Sequence, residues 1–295
     1  MIPKEYTIED IKNKTTKNNM YENFLKSREP LKSILKNNPS WKFISSKSEL
    51  KWGEGLYYDT TIYPKHPYWC NYNLPKETKN INQMRKDILE WGYCIIDEGL
   101  SIIQLNKIKK RIIEQMEGER REGIAQFTKS GQNIYTLINK GKCFEDCIEL
   151  NTNSIQAGNI IEQLLNECLG NNYICNSFLA VGADPGCIPQ FMHQDQNSCF
   201  PHKIIDAPLL FNVLFCLDNI NDYNGGTLII PGSHKISDFT KPLPSAINLH
   251  AKAGSIVLFD GRLWHGTGAN RSNEIRYICA LCKSLFVIKD VSKYF

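Results

Sequence analysis

No stretch of this sequence is apolar for long enough to span a bilayer, and Met1-Ile2-Pro3-Lys4-Glu5-Tyr6 lacks the apolar core of a secretory signal. Neither a membrane-embedded nor an exported chain is expected. Charge of one sign is also scarce. With 35 Lys and Arg against 31 Asp and Glu the formal net charge is only +4, and the lysines are interspersed with Glu, Asp and Asn rather than gathered in a stripe. No electrostatic footprint of a nucleic-acid binder results. Ser292-Lys293-Tyr294-Phe295 is not the Ser-Lys-Leu peroxisomal address, so the expected location is cytoplasmic. Paired cysteine motifs are missing too. Cys279-Ala280-Leu281-Cys282 has redox or zinc spacing, but no second pair matches it, and positions three apart on a strand face opposite ways. Cys143 and Cys147 suit one helix face, again without a partner cluster. The 11 cysteines are therefore read as reduced, mostly buried small hydrophobes.

With 42% hydrophobic content, the 295 residues can bury a large core. We expect an N-terminal extension over 1–84, packed on a main domain over 85–295. Apolar spacing at Tyr21, Phe24, Leu25 and then Leu31, Ile34, Leu35 predicts two short amphipathic helices separated by Pro30. The stretch Trp52 to Leu74 is rich in Tyr, Trp and Pro and reads as a packed loop, with a lid over the domain's mouth as the sharper alternative. Gly92 to Asp97 predicts a buried strand. Ile102, Ile103, Leu105, Ile108, Ile112, Ile113 and Met116 predict a core-facing helix, broken by the charged run Glu117 to Glu122. A second helix follows over Ile155 to Leu169, with Gly170 as terminator. Short strands then take over: Tyr173 to Val181, Phe191 to Asp195, Leu209 to Leu217, Thr227 to Pro231, Ser255 to Phe259 and Arg276 to Val287. Helices first and many short strands afterwards predict an α+β, mainly β jelly roll.

Candidate chemistry concentrates in two segments, Gln190-Phe191-Met192-His193-Gln194-Asp195 and Leu263-Trp264-His265-Gly266-Thr267-Gly268. On a strand His193 and Asp195 face the same way and can grip one metal, with His265 arriving from elsewhere as third ligand. Two imidazoles and a carboxylate on one face of a metal leave the opposite positions open, the arrangement associated with Fe(II) oxygenases. Arg276 follows His265 by eleven residues, after the short loop Asn270 to Asn273, where a returning strand can aim a guanidinium at the far carboxylate of a bound dicarboxylic acid. A lone histidine is ordinarily a surface or hydrogen-bonded core residue, so His66, His202, His234 and His250 need no function. Asn212 and Leu214 alternate on one strand face and are candidate pocket residues, with Phe211, Val213 and Phe215 on the other; the pattern alone leaves open which face is inward.

These segments, with Asn224-Gly225-Gly226-Thr227-Leu228-Ile229-Ile230-Pro231-Gly232-Ser233-His234 between them and Gly92-Tyr93-Cys94-Ile95-Ile96-Asp97 upstream, give an order that resembles the phytanoyl-CoA dioxygenase family of Fe(II)/2-oxoglutarate-dependent oxygenases. The resemblance covers roughly residues 85 to 290. It implies a double-stranded β-helix, a cupin-like jelly-roll barrel. It also implies His193, Asp195 and His265 as iron ligands, and Arg276, with Thr267, Gln190 and Thr227, as contacts of 2-oxoglutarate. Fe(II), 2-oxoglutarate and O2 are the implied cofactor and cosubstrates. The implied reaction is oxidation of an unactivated C–H bond in a small-molecule metabolite, by hydroxylation or by the cyclisation and desaturation found in specialised metabolism. Asp195 argues against halogenation, because halogenases of the family vacate that position. A small-molecule substrate is the expected partner, with neither nucleic acid nor membrane, and the chain is expected as monomer or homodimer. The alternative from another class is a jelly-roll sensor that binds metal without turnover.

Overall fold

Local sequence explains most element boundaries in the structure, a computed structural model that describes residues 69, 71–128, 130–150, 153–187, 189–190, 192–196, 207–236 and 246–285. The two expected N-terminal helices and nearly all of the aromatic stretch before residue 69 lie outside the described residues. Strand β1 (Glu77–Thr78) leads into helix α1 (Ile81–Trp91). That helix starts where the Asn80 side chain accepts the N–H groups of Asn82 and Gln83, and it stops at Gly92. Strand β2 (Tyr93–Ile96) is buried throughout, as its unbroken apolar run requires. Helix α2 (Ile102–Glu122) opens with a capping box between Ser101 and Gln104 and ends at Gly123.

The expected break at Glu117 does not occur. Glu and Arg are good helix formers, and α2 runs on through them with Glu119 turned inward to pair with Lys140 at 3.2 Å. Leu105, Ile108, Ile112 and Met116 form its buried stripe, whereas Ile102 and Ile103 at its first turn are exposed. Beyond the expected elements, a hairpin of β3 (Gln126–Thr128) and β4 (Gly131–Ile134) follows α2. Helix α3 (Lys142–Glu149) buries Cys143 and Cys147 on one face, and α4 (Gly158–Leu169) ends at Gly170.

Seven strands follow: β5 (Tyr173–Ala183), β6 (Leu210–Cys216), β7 (Thr227–Ile229), β8 (Ile247–Asn248), β9 (Ile256–Asp260), β10 (His265–Thr267) and β11 (Arg276–Leu285). They complete an eight-stranded sheet in the order β1-β2-β9-β6-β11-β5-β4-β3 and form a three-stranded sheet in the order β10-β7-β8. All pairings are antiparallel except β1 with β2. The chain is thus α+β and mainly β, a jelly roll of two sheets. No strand pairing among the described residues closes the sheets into one ring.

Strict alternation divides the large sheet into two faces. Phe211, Val213, Phe215, Cys279 and Leu281 pack against the helices in one cluster, while Leu214, Phe259 and Ile278 join Ile229 and Ile247 of the small sheet in another. Cys279 and Cys282 are both free and buried, and all nine described cysteines are free.

Candidate functional site

The backbones of His193 and His265 bond to each other. An isolated antiparallel bridge joins them, with His193 N–H to His265 O at 2.9 Å and His265 N–H to His193 O at 3.0 Å. His193 therefore extends the small sheet beyond β10. The strand expected over Phe191 to Asp195 shrinks to this bridge: the chain turns helical at Asp195, and Phe191 lies outside the described residues. That turn brings the carboxylate against both rings, so the i, i+2 pair converges by another route. His193 Nε2 stands 3.5 Å from Asp195 Oδ1, and His265 Nε2 stands 3.3 Å from Asp195 Oδ2.

The three ligand atoms lie within 4.8 Å of one another. Two ligands bonded at about 2.1 Å to one first-row metal, at neighbouring coordination positions, stand roughly 3 Å apart. The donor set and its spacing fit one divalent metal. His265 Nδ1 sits 2.9 Å from the Leu263 carbonyl, an acceptor that can only take an N–H, which leaves Nε2 as the lone-pair nitrogen facing the cluster. Phe259 packs against the same ring, with centroids 4.8 Å apart. Burial pushes the Asp195 carboxyl upward, but without a metal the charge and N–H groups that His265 and His193 offer in their protonated form outweigh it and hold the group far below the usual carboxylate range. Asn212 Nδ2 adds a 2.8 Å hydrogen bond to Asp195 Oδ2.

Arg276 is 1% exposed at the start of β11. Its Nη2 donates to the Gly225 carbonyl, while Nε and Nη1 are buried without a hydrogen-bond partner. Buried N–H groups are almost always paired, so two deserted ones on a cation mark a place made for an anion. Burial lowers the Arg276 pKa from its usual value, and Cys187, Cys216 and Asp218 oppose that shift. Thr227 and Thr267 are cross-strand partners on β7 and β10, and Gln190 Oε1 accepts from Thr267 N–H at 3.2 Å and from Thr267 Oγ1 at 3.3 Å. Gly225 begins the turn into β7 with φ +80, and a Cβ at Gly226 would lie 2.4 Å from the Asn221 carbonyl. Only glycine brings the backbone this close, and the turn sets Thr227 in register.

A cavity of about 430 Å³ opens over the cluster. His193, Asp195, His265, Gln190, Thr227 and Thr267 line it; Arg276 lies behind the lining rather than within it. Leu179, Val181, Leu214, Ile278 and Ala280 form an aliphatic floor from the large sheet, and Thr128, Ser130, Asn133 and Tyr135 supply a polar edge from the β3–β4 hairpin and the residue after it. The inward face of β6 is thus the one carrying Asn212 and Leu214. The hairpin residues escaped the sequence reading, although Ser130-Gly131 between Phe127 and Ile134 is a turn signal that marks them. His234 is buried and belongs to neither the cluster nor the cavity lining. Burial lowers its pKa to about 4, and its ring abuts Gly92, where a Cβ would fall 2.5 Å from Nδ1.

A family model described as phytanoyl-CoA dioxygenase (PhyH) matches residues 89–278. A dioxygenase of Aspergillus fumigatus is 37% identical over 115 residues, 38% of this chain and 37% of that protein. A second, from Aspergillus aculeatus, is 38% identical over 112 residues, 36% of this chain and 38% of its own. The chain thus spans well under half the length of these two relatives. An uncharacterised protein of Mycobacterium tuberculosis is 31% identical over 216 residues, 69% of this chain and 76% of that one. Among solved structures, the non-haem α-ketoglutarate-dependent carbocyclase SnoK from nogalamycin biosynthesis superposes with a TM-score of 0.56 at 17% identity, over 72% of this chain and 87% of its own. AviO1 from Streptomyces viridochromogenes superposes with a TM-score of 0.54 at 15% identity, over 71% of this chain and 96% of its own. These two likenesses bear on the fold.

Proposed function

The chain belongs to the phytanoyl-CoA dioxygenase family, and from that membership we propose that it is a non-haem Fe(II)/2-oxoglutarate-dependent dioxygenase acting on a small-molecule metabolite. The observation that carries this reading is the convergence of His193, Asp195 and His265, from two segments far apart in sequence, on one metal-sized locus in the lining of a cavity. Bound Fe(II), with 2-oxoglutarate and O2 as cosubstrates, supplies the power to oxidise an unactivated C–H bond, releasing succinate and CO2.

The chain's own residues do the positioning. His193 and His265 would each offer an Nε2 lone pair to the metal, the second oriented by the Leu263 carbonyl, and Asp195 would add one negative charge. The two deserted N–H groups of Arg276 suit the far carboxylate of 2-oxoglutarate, and the paired Thr227 and Thr267, with Gln190, flank the same end of the small sheet. Leu179, Val181, Leu214, Ile278 and Ala280 hold the substrate's skeleton and keep water from the reacting carbon. With Asp195 in place, no protein position is vacated for halide, so the outcome is hydroxylation, or ring closure or desaturation where the substrate geometry favours it.

The test is to load the purified chain with Fe(II), add 2-oxoglutarate and O2, and follow succinate and bound iron. One iron per chain and succinate formation are expected, with both lost in His193→Ala. Full turnover in that variant would overturn the ligand set, and iron binding without any succinate would favour a non-catalytic metal protein.

A further inference from the structure

Asn212 stands where the two halves of the site meet. It is 3% exposed on β6 of the large sheet, and its Nδ2 donates to Asp195 Oδ2 at 2.8 Å, whereas Asp195 follows directly on the His193 bridge to the small sheet. Among the described residues no other hydrogen bond engages this side chain, and it lines the cavity beside Leu214. A side-chain amide has a donating and an accepting end, and only the donating end can face an ionised carboxylate. The 2.8 Å bond to Asp195 Oδ2 thus fixes the amide: its NH2 is turned to the cluster and its Oδ1 is left as an acceptor at the cavity wall. An amide oxygen that faces a cavity can exchange water for a donor on a bound molecule.

We propose that Asn212 is a positioning residue with two ends: Nδ2 orients the Asp195 carboxylate for metal, and Oδ1 takes a hydroxyl or N–H of the substrate next to the metal locus. The substrate class that follows is a molecule with an apolar skeleton, suited to Leu179, Val181, Ile278 and Ala280, carrying a neutral hydrogen-bond donor close to the carbon that reacts. This rests on the cluster being the iron site, and the two ends are tested separately so that its failure can be recognised.

For the first end, Fe(II) affinity of the full chain is measured by competition with a chromophoric chelator. Asn212→Leu, close in size but without a donor, is expected to weaken Fe(II) binding about tenfold or more, as loss of a partner that orients a metal ligand does. Asn212→Asp, which sets a second carboxylate against Asp195, should not restore it. Asn212→Ala, also without a donor, serves the same purpose if Leu is not accommodated, and thermal melting establishes that the variants are folded. Unchanged Fe(II) affinity in the folded variants would overturn the orienting role.

For the second end, cyclohexanol and cyclohexanone are titrated by ligand-observed NMR into the full chain with and without Zn(II) and 2-oxoglutarate. The two probes are nearly identical in shape, but only the alcohol donates. Wild type should favour the alcohol about fivefold, and Asn212→Leu should erase the preference. No alcohol preference in wild type, no binding of either probe, or a preference that survives in Asn212→Leu would overturn the acceptor role. If wild type binds no Fe(II) while the alcohol preference still depends on Asn212, the iron reading fails and the acceptor role stands.

Discussion

Replacing Arg276 with methionine should make the ligand-free protein more stable and the cosubstrate site inoperative. The guanidinium is buried with one N–H donated to the Gly225 carbonyl and with Nε and Nη1 unpartnered. Each deserted group costs about 1–3 kcal/mol, and the bond to Gly225 returns about 1.5–3 kcal/mol. Allowing a further ~1 kcal/mol for leaving the Gly225 carbonyl bare, Arg276→Met should gain about 1 kcal/mol, a rise in melting temperature of roughly 2–4 °C. Replacement of a buried charge by an apolar residue of similar length often acts in this direction. Cosubstrate reverses the ranking. At a hundredfold over its Kd, 2-oxoglutarate should stabilise wild type by about 2.7 kcal/mol, roughly 5–10 °C, and leave Arg276→Met unmoved. Arg276→Lys keeps the charge without the fork and should fall between the two. Thermal melting of the three proteins, with and without 2-oxoglutarate, is the assay. If Arg276→Met melts well below wild type without cosubstrate, the guanidinium is a structural tie. If it keeps the full cosubstrate shift, the anchor lies elsewhere.

Three further outcomes are expected. His265→Ala should abolish stoichiometric iron binding while the fold persists, because the ring is a donor rather than a core filler; far-ultraviolet circular dichroism with metal analysis separates the two effects. In Gly268→Ala the new Cβ would sit 2.5 Å from the Gly226 carbonyl and 2.8 Å from Asn248 Nδ2, so strand β10 must shift. A loss of about 1–3 kcal/mol in urea unfolding together with reduced iron occupancy should follow, and an unchanged protein would contradict the close approach. Acid sensitivity should trace partly to His234, whose pKa burial lowers to about 4 from an unfolded value near 6.5. The unfolded chain takes up that proton first, so this contribution is whole above about pH 6.5 and shrinks by about 2–3 kcal/mol as pH falls towards 4. Urea unfolding at pH 7 and pH 4.5 should show a flatter dependence in His234→Gln.

The sequence was most legible where a residue's chemistry and its spacing pointed the same way. His193, Asp195 and His265 converge as read, although the local conformation differs, because the backbone bridge and the turn at Asp195 do the work assigned to strand alternation. Helix ends were readable from Gly170, placed as a terminator, but the charged run at Glu117 misled: loss of apolar periodicity marks the end of a buried face, not the end of a helix. Which face of β6 looks inward was not readable, since both faces are apolar and only the helices packed on Phe211, Val213 and Phe215 decide it. Strands of two or three residues, such as β8 and β10, are too short to carry a period and exist through their partners. The unpaired state of Arg276 is likewise invisible in sequence, because it is a property of what surrounds the side chain.

The mutual bridge between His193 and His265 also bears on how the molecule assembles. These residues are about seventy positions apart, and closing a loop of that length is an entropic toll the chain meets before any contact at the bridge rewards it. Asp195 meanwhile reaches across to Asn212 on the opposite sheet. The cluster of His193, Asp195 and His265 is therefore a seam, one that cannot pre-exist in a partly folded chain and has to form once both sheets are in place. A metal held there would act as a clasp on the long loop, slowing its reopening more than it speeds its closure. Starvation for metal would then first be felt as a shorter lifetime of the closed form, and proteolysis within the loop between the two histidines would be its earliest sign.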